Sequence, residues 1–380
     1  MDSWSTEERR ALRASTRRFT EREVLPHLAT WEEQGRVPLS AHAAAAEAGL
    51  LGIGFPEEVG GCGGTAIDSL VVAEEMILAG GSSGLISALF THGIGLPHLL
   101  EAGDTALVER VARPVLQGRS IVSLAITEPD GGSDVAGLRT RAVRDGDDLV
   151  VTGSKLYITS GTRADFLTTA VRTGGDGAHG ISLLVIDRDL PGVTVSAPLK
   201  KMGWLCSDTA EIRFEQVLVP AANLVGAEGS GFFAIMRQFA SERLSMAVQA
   251  YATAQRCLDL TLRWVQERET FGRPLSSRQV VQHRLAEMAR DVDVSRTYVR
   301  AVVDAWLAGE DVVMRVAMAK NTAVATCDRV VDAAVQLHGG QGYMRETEVE
   351  RHYRDSRILG IGGGTNEIMT GVIAKLLLAP

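Results

Sequence analysis

From the first residue to about position 118, apolar residues recur at spacings of three and four, in runs such as LRASTRRFTEREVLPHLATW and SLVVAEEMILAG. That period predicts helices, and the glycine and proline cluster GFPEEVGGCGG breaks them. Between Ile121 and about Gly226 the pattern changes to short β-rich runs, SIVSLAIT, LVVTGSKLYIT, FLTTAVR and ISLLVIDR, separated by the turn signals RDGDD and GGDG. After GAEGSGF the helical spacing returns over about 230–268, 275–307 and 311–337, with Gly339 and Gly340 as the stop. The order is helical, β, helical. Strands do not alternate with helices, and neither GxGxxG nor GxxxxGK[ST] is present, so a doubly wound nucleotide-binding sheet is excluded. The expectation is an α+β multidomain chain divided at 1–120, 121–228 and 229–380.

Composition narrows the function classes. A chain of 380 residues, 45% hydrophobic and 23% charged, without a low-complexity run, is ordered and long enough for two or three cores. Its net charge of −8, with no basic stripe, repels a phosphate backbone and argues against nucleic acid. Cys62, Cys206, Cys257 and Cys327 lie far apart and form no CxxC pair, which suggests neither disulfides nor zinc and fits a reducing compartment. The start, MDSWSTEERRALRAS, carries acids and no apolar core of a signal peptide, and no apolar stretch nears the roughly 20 residues that span a bilayer. A soluble, cytoplasmic protein without a membrane partner is expected.

Several stretches carry candidate chemistry. The loop in LAITEPDGGSD, Leu124 to Asp134, offers backbone N–H groups and the hydroxyls of Thr127 and Ser133 to a flat cofactor or a phosphate; alone, it also reads as a plain turn between strands. GSKLYITSG places Tyr157 and Thr159 at a strand end, and RETFGRPL by itself ends a helix at glycine and proline. On the long helix, Ile235, Phe239, Glu242 and Met246 fall within about a 60° arc at 100° per residue, so Glu242 lies on an apolar stripe. A carboxylate there is costly unless it is paired, with neighbouring Arg243 or a distant arginine, or used as a base whose pKa burial has raised. The histidines form no HExxH or Cys/His cluster, no GxSxG elbow appears, and His338 in QLHGGQGY reads as a structural helix-end residue.

Taken in order, ITEPDGGSD, KLYITSG, RETFGRPL, QLHGGQGY and RDSRILGIGGGTNEI resemble the acyl-CoA dehydrogenase family over essentially the whole chain. The resemblance implies an α-helical N-terminal domain, a central β-sheet domain, a C-terminal four-helix bundle, bound FAD, and a homotetramer in which one subunit completes a neighbour's flavin site. It sets Leu124, Ile126, Thr127, Gly132 and Ser133 against the flavin, and puts Tyr157, Ile158 and Thr159 where the family usually has tryptophan and threonine beside the ring. Arg268, Phe271 and Gln279 match residues that hold the adenine and diphosphate across the subunit interface. Gln336, Leu337, His338, Gly339, Gly340, Thr365, Asn366 and Glu367 match the remaining contacts. Ser133, Ser241, Arg243, Gly363 and Gly364 are placed beside the substrate.

The commonest members carry a catalytic glutamate just before the GT of the last motif, but here that position is Gly363. A second branch, resembling isovaleryl-CoA and long-chain acyl-CoA dehydrogenases, carries its base on the long helix immediately before an arginine, where Glu242 and Arg243 stand. The resemblance thus implies α,β-dehydrogenation of an acyl-CoA with Glu242 as base. It assigns polarisation of the thioester carbonyl to the backbone N–H of Gly363 and makes an electron-transferring flavoprotein the acceptor. The rivals are a flavin oxidase or monooxygenase, a dehydrogenase of carrier-protein thioesters, and a non-catalytic homologue in which Glu242 is only an ion-pair partner.

Overall fold

A computed structural model describes residues 2–379. The N-terminal part is helical. Helix α1, Glu7–Phe19, opens on Thr6, whose side chain accepts from the Arg9 N–H, and carries Glu7 and Glu8 in its first turn, where they complement the helix dipole. Helix α2, Ala66–Leu78, is closed by a capping box between Thr65 and Asp68 and is buried along most of its length. Its buried Glu74 is paired with Arg13 of α1 and, at 2.7 Å, with Arg300 far along the chain.

The middle part is one eight-stranded sheet built from β1 (Val122–Ala125), β2 (Arg141–Asp145), β3 (Asp148–Thr159), β4 (Phe166–Arg172), β5 (Ile181–Asp187), β6 (Val193–Val195), β7 (Thr209–Pro220) and β8 (Leu224–Val225). Strand order is β6-β7-β3-β2-β4-β5-β8, with β1 added parallel to β4 in the register Val122↔Phe166. Pairing of β3 with β7 slips between Lys155 and Ile158, a bulge that puts Tyr157 at φ 61° and leaves its side chain 65% exposed.

The C-terminal bundle consists of α3 (Gly231–Glu267), α4 (Gln279–Leu307), α5 (Val313–His338) and α7 (Asn366–Leu377), with the shorter α6 (Glu348–Ser356) before the last. Leu70, Met76 and Leu85 from the N-terminal helices share one apolar cluster with Leu244, Val299 and Val324 of the bundle. The two helical regions, distant in sequence, therefore bury one core, while the sheet has its own around Leu149, Leu184 and Phe214. All three parts meet at Trp204, whose backbone N–H donates to Asp355 Oδ1 (2.5 Å) and whose indole N–H donates to Ser83 Oγ (2.9 Å).

One expectation is corrected. RETFGRPL does not end the helix at its glycine and proline: α3 stops at Glu267, and Glu269–Thr270 pairs with Arg273–Pro274 in a small hairpin. Phe271 and Gly272 form its turn at φ 50° and 71°, both positive, as a two-residue hairpin turn requires.

Candidate active site

The stripe on α3 forms as its spacing predicts. Ile235 and Met246 are buried, and Phe239 and Glu242 are half-buried between them. Among the described residues the Glu242 carboxylate takes part in no ion pair, and Arg243 turns elsewhere. Its guanidinium stacks over Phe239 at 4.8 Å and its Nε donates to the Gly363 carbonyl at 3.0 Å. Glu242 is thus beside the last motif but free of it. Loss of solvation pushes its pKa above the ordinary carboxylate value, opposed by the nearby charges of Arg243 and Lys320.

The segment Gly362–Gly364 is held from two sides. Arg243 binds the Gly363 carbonyl, and Lys320 of α5, fully buried, donates to the Gly364 carbonyl at 2.6 Å. Burial, and after it the charge of Arg243, lowers the Lys320 pKa to about 8, with Glu242 acting in the opposite sense. Both carbonyls are tied down, while the N–H groups of Gly363 and Gly364 have no backbone acceptor among the described residues. Gly363 lies at φ 61° and Gly364 at φ 94°, conformations that favour glycine. A Cβ on Gly363 would stand 2.7 Å from Met246 Sδ and 3.7 Å from Glu242 Oε1. The absent side chain and the Glu242 carboxylate therefore address the same space.

Leu124 and Glu242 share the wall of a narrow pocket with Gly93, Ile94, Pro97, His98, Gln238, Phe239 and Ser241. Beyond Leu124, the loop from Ile126 is shaped from beneath by a buried ion pair. Lys155 Nζ meets Glu128 Oε1 at 2.7 Å and the Ile126 carbonyl at 3.1 Å, and Glu128 also accepts from the N–H groups of Arg139 and Thr140. Desolvation lowers the Lys155 pKa to about 8, against the pull of Glu128. With its inner face satisfied, the loop presents the N–H groups of Ile126, Thr127, Gly132 and Ser133 with no backbone acceptor among the described residues. Leu124, Ile126 and Thr127 are half-buried, Gly132 and Ser133 exposed. Exposed Tyr157 and half-buried Thr159 flank buried Ile158 at the end of β3. A row of free donors beside an exposed aromatic held at positive φ fits a flat heterocycle edged with acceptors.

The other sites expected from sequence lie apart. Arg268, Phe271 and Gln279 are exposed, Phe271 at 97%. They sit at the far end of α3, beyond about 38 Å of helix from Glu242 at 1.5 Å per residue. His338 is held in place at the helix end: it stacks on Trp264 at 5.1 Å, and its Nδ1 lies 2.7 Å from the Ala334 carbonyl. Gln336 and Leu337 belong to the last turn of α5, and a Cβ on Gly339 or Gly340 would meet nothing within 4 Å, leaving their backbone open. Thr365 caps α7 by accepting from the Ile368 N–H, Asn366 opens that helix with its carbonyl bound by Asn321, and Glu367 is exposed. Lys320, His98 and the Glu128–Lys155 pair were not anticipated. The only sequence signal for the lysines is a lone cation inside an apolar run, AMAKNTAV or SKLYI.

Comparison with known proteins identifies the class to which this fold belongs. Models of the N-terminal, middle and C-terminal domains of acyl-CoA dehydrogenase match residues 6–119, 123–217 and 229–378. The chain belongs to the acyl-CoA dehydrogenase family, FAD-dependent oxidoreductases acting on CH–CH donors. It is 38% identical to a probable acyl-CoA dehydrogenase, YngJ, of Bacillus subtilis, over 98% of each chain. It is 35% identical to the mitochondrial long-chain specific acyl-CoA dehydrogenase of Sus scrofa, over 96% of this chain and 85% of that one. Among solved structures, a probable acyl CoA dehydrogenase from Mycobacterium abscessus superposes with a TM-score of 0.98 at 65% identity, covering 99% of this chain and 100% of that one. A glutaryl-CoA dehydrogenase from Mycobacterium smegmatis, 26% identical with a TM-score of 0.92 over 100% of this chain and 96% of that one, was solved in complex with FADH2.

Proposed function

We propose that the chain converts an acyl-CoA to its trans-2-enoyl-CoA, with Glu242 as the base. The observation that carries this reading is the carboxylate of Glu242 on an apolar stripe, without an ion-pair partner among the described residues and 3.7 Å from where a side chain at Gly363 would begin. A buried ion-pair partner, the non-catalytic alternative, would have taken Arg243, which instead holds the Gly363 carbonyl.

FAD, when bound against the loop from Leu124 to Ser133 with Tyr157 and Thr159 beside it, supplies the acceptor for the β-hydrogen. The chain's own residues do the rest. Glu242 removes the α-proton, and the raised pKa strengthens it as a base toward a weak carbon acid. Arg243 and Lys320 fix two successive carbonyls, which aims the free N–H of Gly363 at the thioester oxygen where charge develops. Ser133, Ser241 and Gly364 line the substrate side. Arg268, Phe271, Gln279 and the open backbone at Gly339 and Gly340 serve the adenine and diphosphate of a neighbouring subunit in a homotetramer, and an electron-transferring flavoprotein takes the electrons. The functional units follow 1–120, 121–228 and 229–380.

Glu242→Gln tests the reading. It preserves size and hydrogen bonding but accepts no proton, so FAD stays bound while flavin bleaching by the best acyl-CoA falls at least the roughly 10²- to 10⁴-fold typical of a positioned base. Near-normal bleaching excludes Glu242.

A further inference from the structure

His98 is a polar residue in an awkward place. It lies on the short helix Pro97–Ala102 and lines the pocket that Glu242 and Leu124 also line. Only 3% of it is exposed, and its Nδ1 is buried with no hydrogen-bond partner among the described residues. Orphan ring nitrogens of this kind are costly, and in a core position leucine would serve better. Burial lowers the pKa to about 4, with Glu101 opposing and Arg237 adding to the shift, so the ring is neutral near pH 7 and offers one donor and one acceptor.

Its distance from the chemistry follows from the packing of two helices. Glu101, three residues on and on the same face, accepts from Arg237 Nε at 2.6 Å and from Gln238 Nε2 at 3.1 Å. Gln238 precedes Glu242 by four residues, about 6 Å along α3. Gln238, His98 and Glu242 all line the pocket, so it runs from the proposed base toward His98 across roughly one helical turn, and an acyl chain placed as proposed above would extend along it beyond its α- and β-carbons.

The charges nearby restrict what the imidazole can meet. Arg243 and Lys320 are engaged with the Gly363 and Gly364 carbonyls, and Arg237 is engaged with Glu101. A second carboxylate on the substrate would find no unpaired cation and would face Glu242. A hydroxyl, which both gives and takes a hydrogen bond, satisfies either tautomer of His98.

We propose that the site takes short acyl thioesters bearing a hydroxyl at the γ-carbon or beyond, read by the unpartnered imidazole of His98. This rests on the placement of the acyl group beside Glu242 proposed above.

The test is isothermal titration of the FAD-loaded Glu242→Gln protein, which binds without turnover, using 5-hydroxypentanoyl-CoA and hexanoyl-CoA. In this pair a hydroxyl replaces a methyl at constant length. The expected result is at least about tenfold tighter binding of the hydroxy thioester, the scale of one hydrogen bond to an otherwise orphaned buried group. Adding His98→Leu brings the ratio to about one or inverts it, while His98→Asn, which keeps an amide near the Nδ1 position, retains part of it. Equal or tighter binding of hexanoyl-CoA with His98 intact overturns the proposal, as does a preference that survives His98→Leu. The reading of Glu242 is judged separately: if unmodified protein shows no flavin bleaching by either thioester while the binding preference stands, the dehydrogenation mechanism fails and the pocket assignment does not.

Discussion

Glu242 and the missing side chain of Gly363 converge on one place from two directions, α3 and the loop before α7, so a carboxylate moved between them should reach the same α-carbon. The cost of the move is now specific. At φ 61° a side chain costs roughly 1–2 kcal/mol, and a Cβ at 2.7 Å from Met246 Sδ forces that thioether aside. Methionine is unbranched and adaptable, so the obstacle yields. In the Glu242→Gln background, Gly363→Glu should recover flavin reduction about 10- to 100-fold above the single variant and below the unmodified protein. Rapid-mixing absorbance of the flavin band measures it, and no recovery in a folded, FAD-loaded double variant would place the two positions at different carbons. Glu242 was legible because a charge on an apolar stripe is anomalous. Lys320 was not, although the chain has only five lysines and two of them, Lys155 and Lys320, are fully buried. A lone cation in a helix reads as solvated until its neighbours are known, and those neighbours come from a different helix.

At the scale of elements, the site is a strap between helices. The loop ahead of α7 is pinned by Arg243 from α3 and Lys320 from α5, and its useful atoms are the N–H groups left over. Lys320→Met keeps the packing volume and removes both a hydrogen bond and a charge near Glu242. The charge matters for pH. As the proposed base, Glu242 would work as the carboxylate, so the rate should fall as pH falls through its pKa; Lys320 lowers that pKa, and its removal lets burial raise it further. The acidic limb of kcat/KM against pH should therefore move to higher pH in Lys320→Met, with kcat reduced at neutral pH by the looser strap. A limb that stays in place while kcat falls would make Lys320 structural only. Of the elements, the long helices and the strands with continuous apolar runs were legible. Strand β7, Thr209–Pro220, was not: TAEIRFEQVLVP alternates at first, with Glu211, Arg213 and Glu215 outward, but the alternation slips at Gln216 and the strand follows the irregular run after Val195. The Phe271–Gly272 hairpin was hidden for another reason, since two-residue strands carry no periodicity at all.

The whole molecule exposes more surface than one compact chain of its mass should. Its 17109 Å² exceeds the about 14,600 Å² expected of a folded monomer of 40.6 kDa. Part of the excess is apolar and protruding: Phe271 at 97%, Tyr343 at 84% and Val280 at 77%. The β-domain follows from periodicity, but the core shared by the two helical regions does not, and neither does the purpose of an exposed hairpin, because in the homotetramer proposed above the residues it would face belong to another copy. If Arg268 and Phe271 complete a neighbour's flavin site, two different defects should cancel in a mixed assembly. Arg268→Ala subunits keep Glu242 but cannot hold a neighbour's FAD, while Glu242→Gln subunits keep Arg268 but lack the base, so each alone is inactive. In a hybrid with two-fold symmetry broken only by the substitutions, the Glu242-bearing site receives its arginine from the partner and is whole. Random pairing on co-expression makes about half the pairs hybrid with one whole site in two, so activity should return to roughly a quarter of the unmodified protein. Flavin reduction by acyl-CoA in the co-purified mixture, set against the two separate preparations, measures it. If Arg268 instead serves the site of its own chain, every site in the mixture lacks one group or the other and activity stays at the level of the singles.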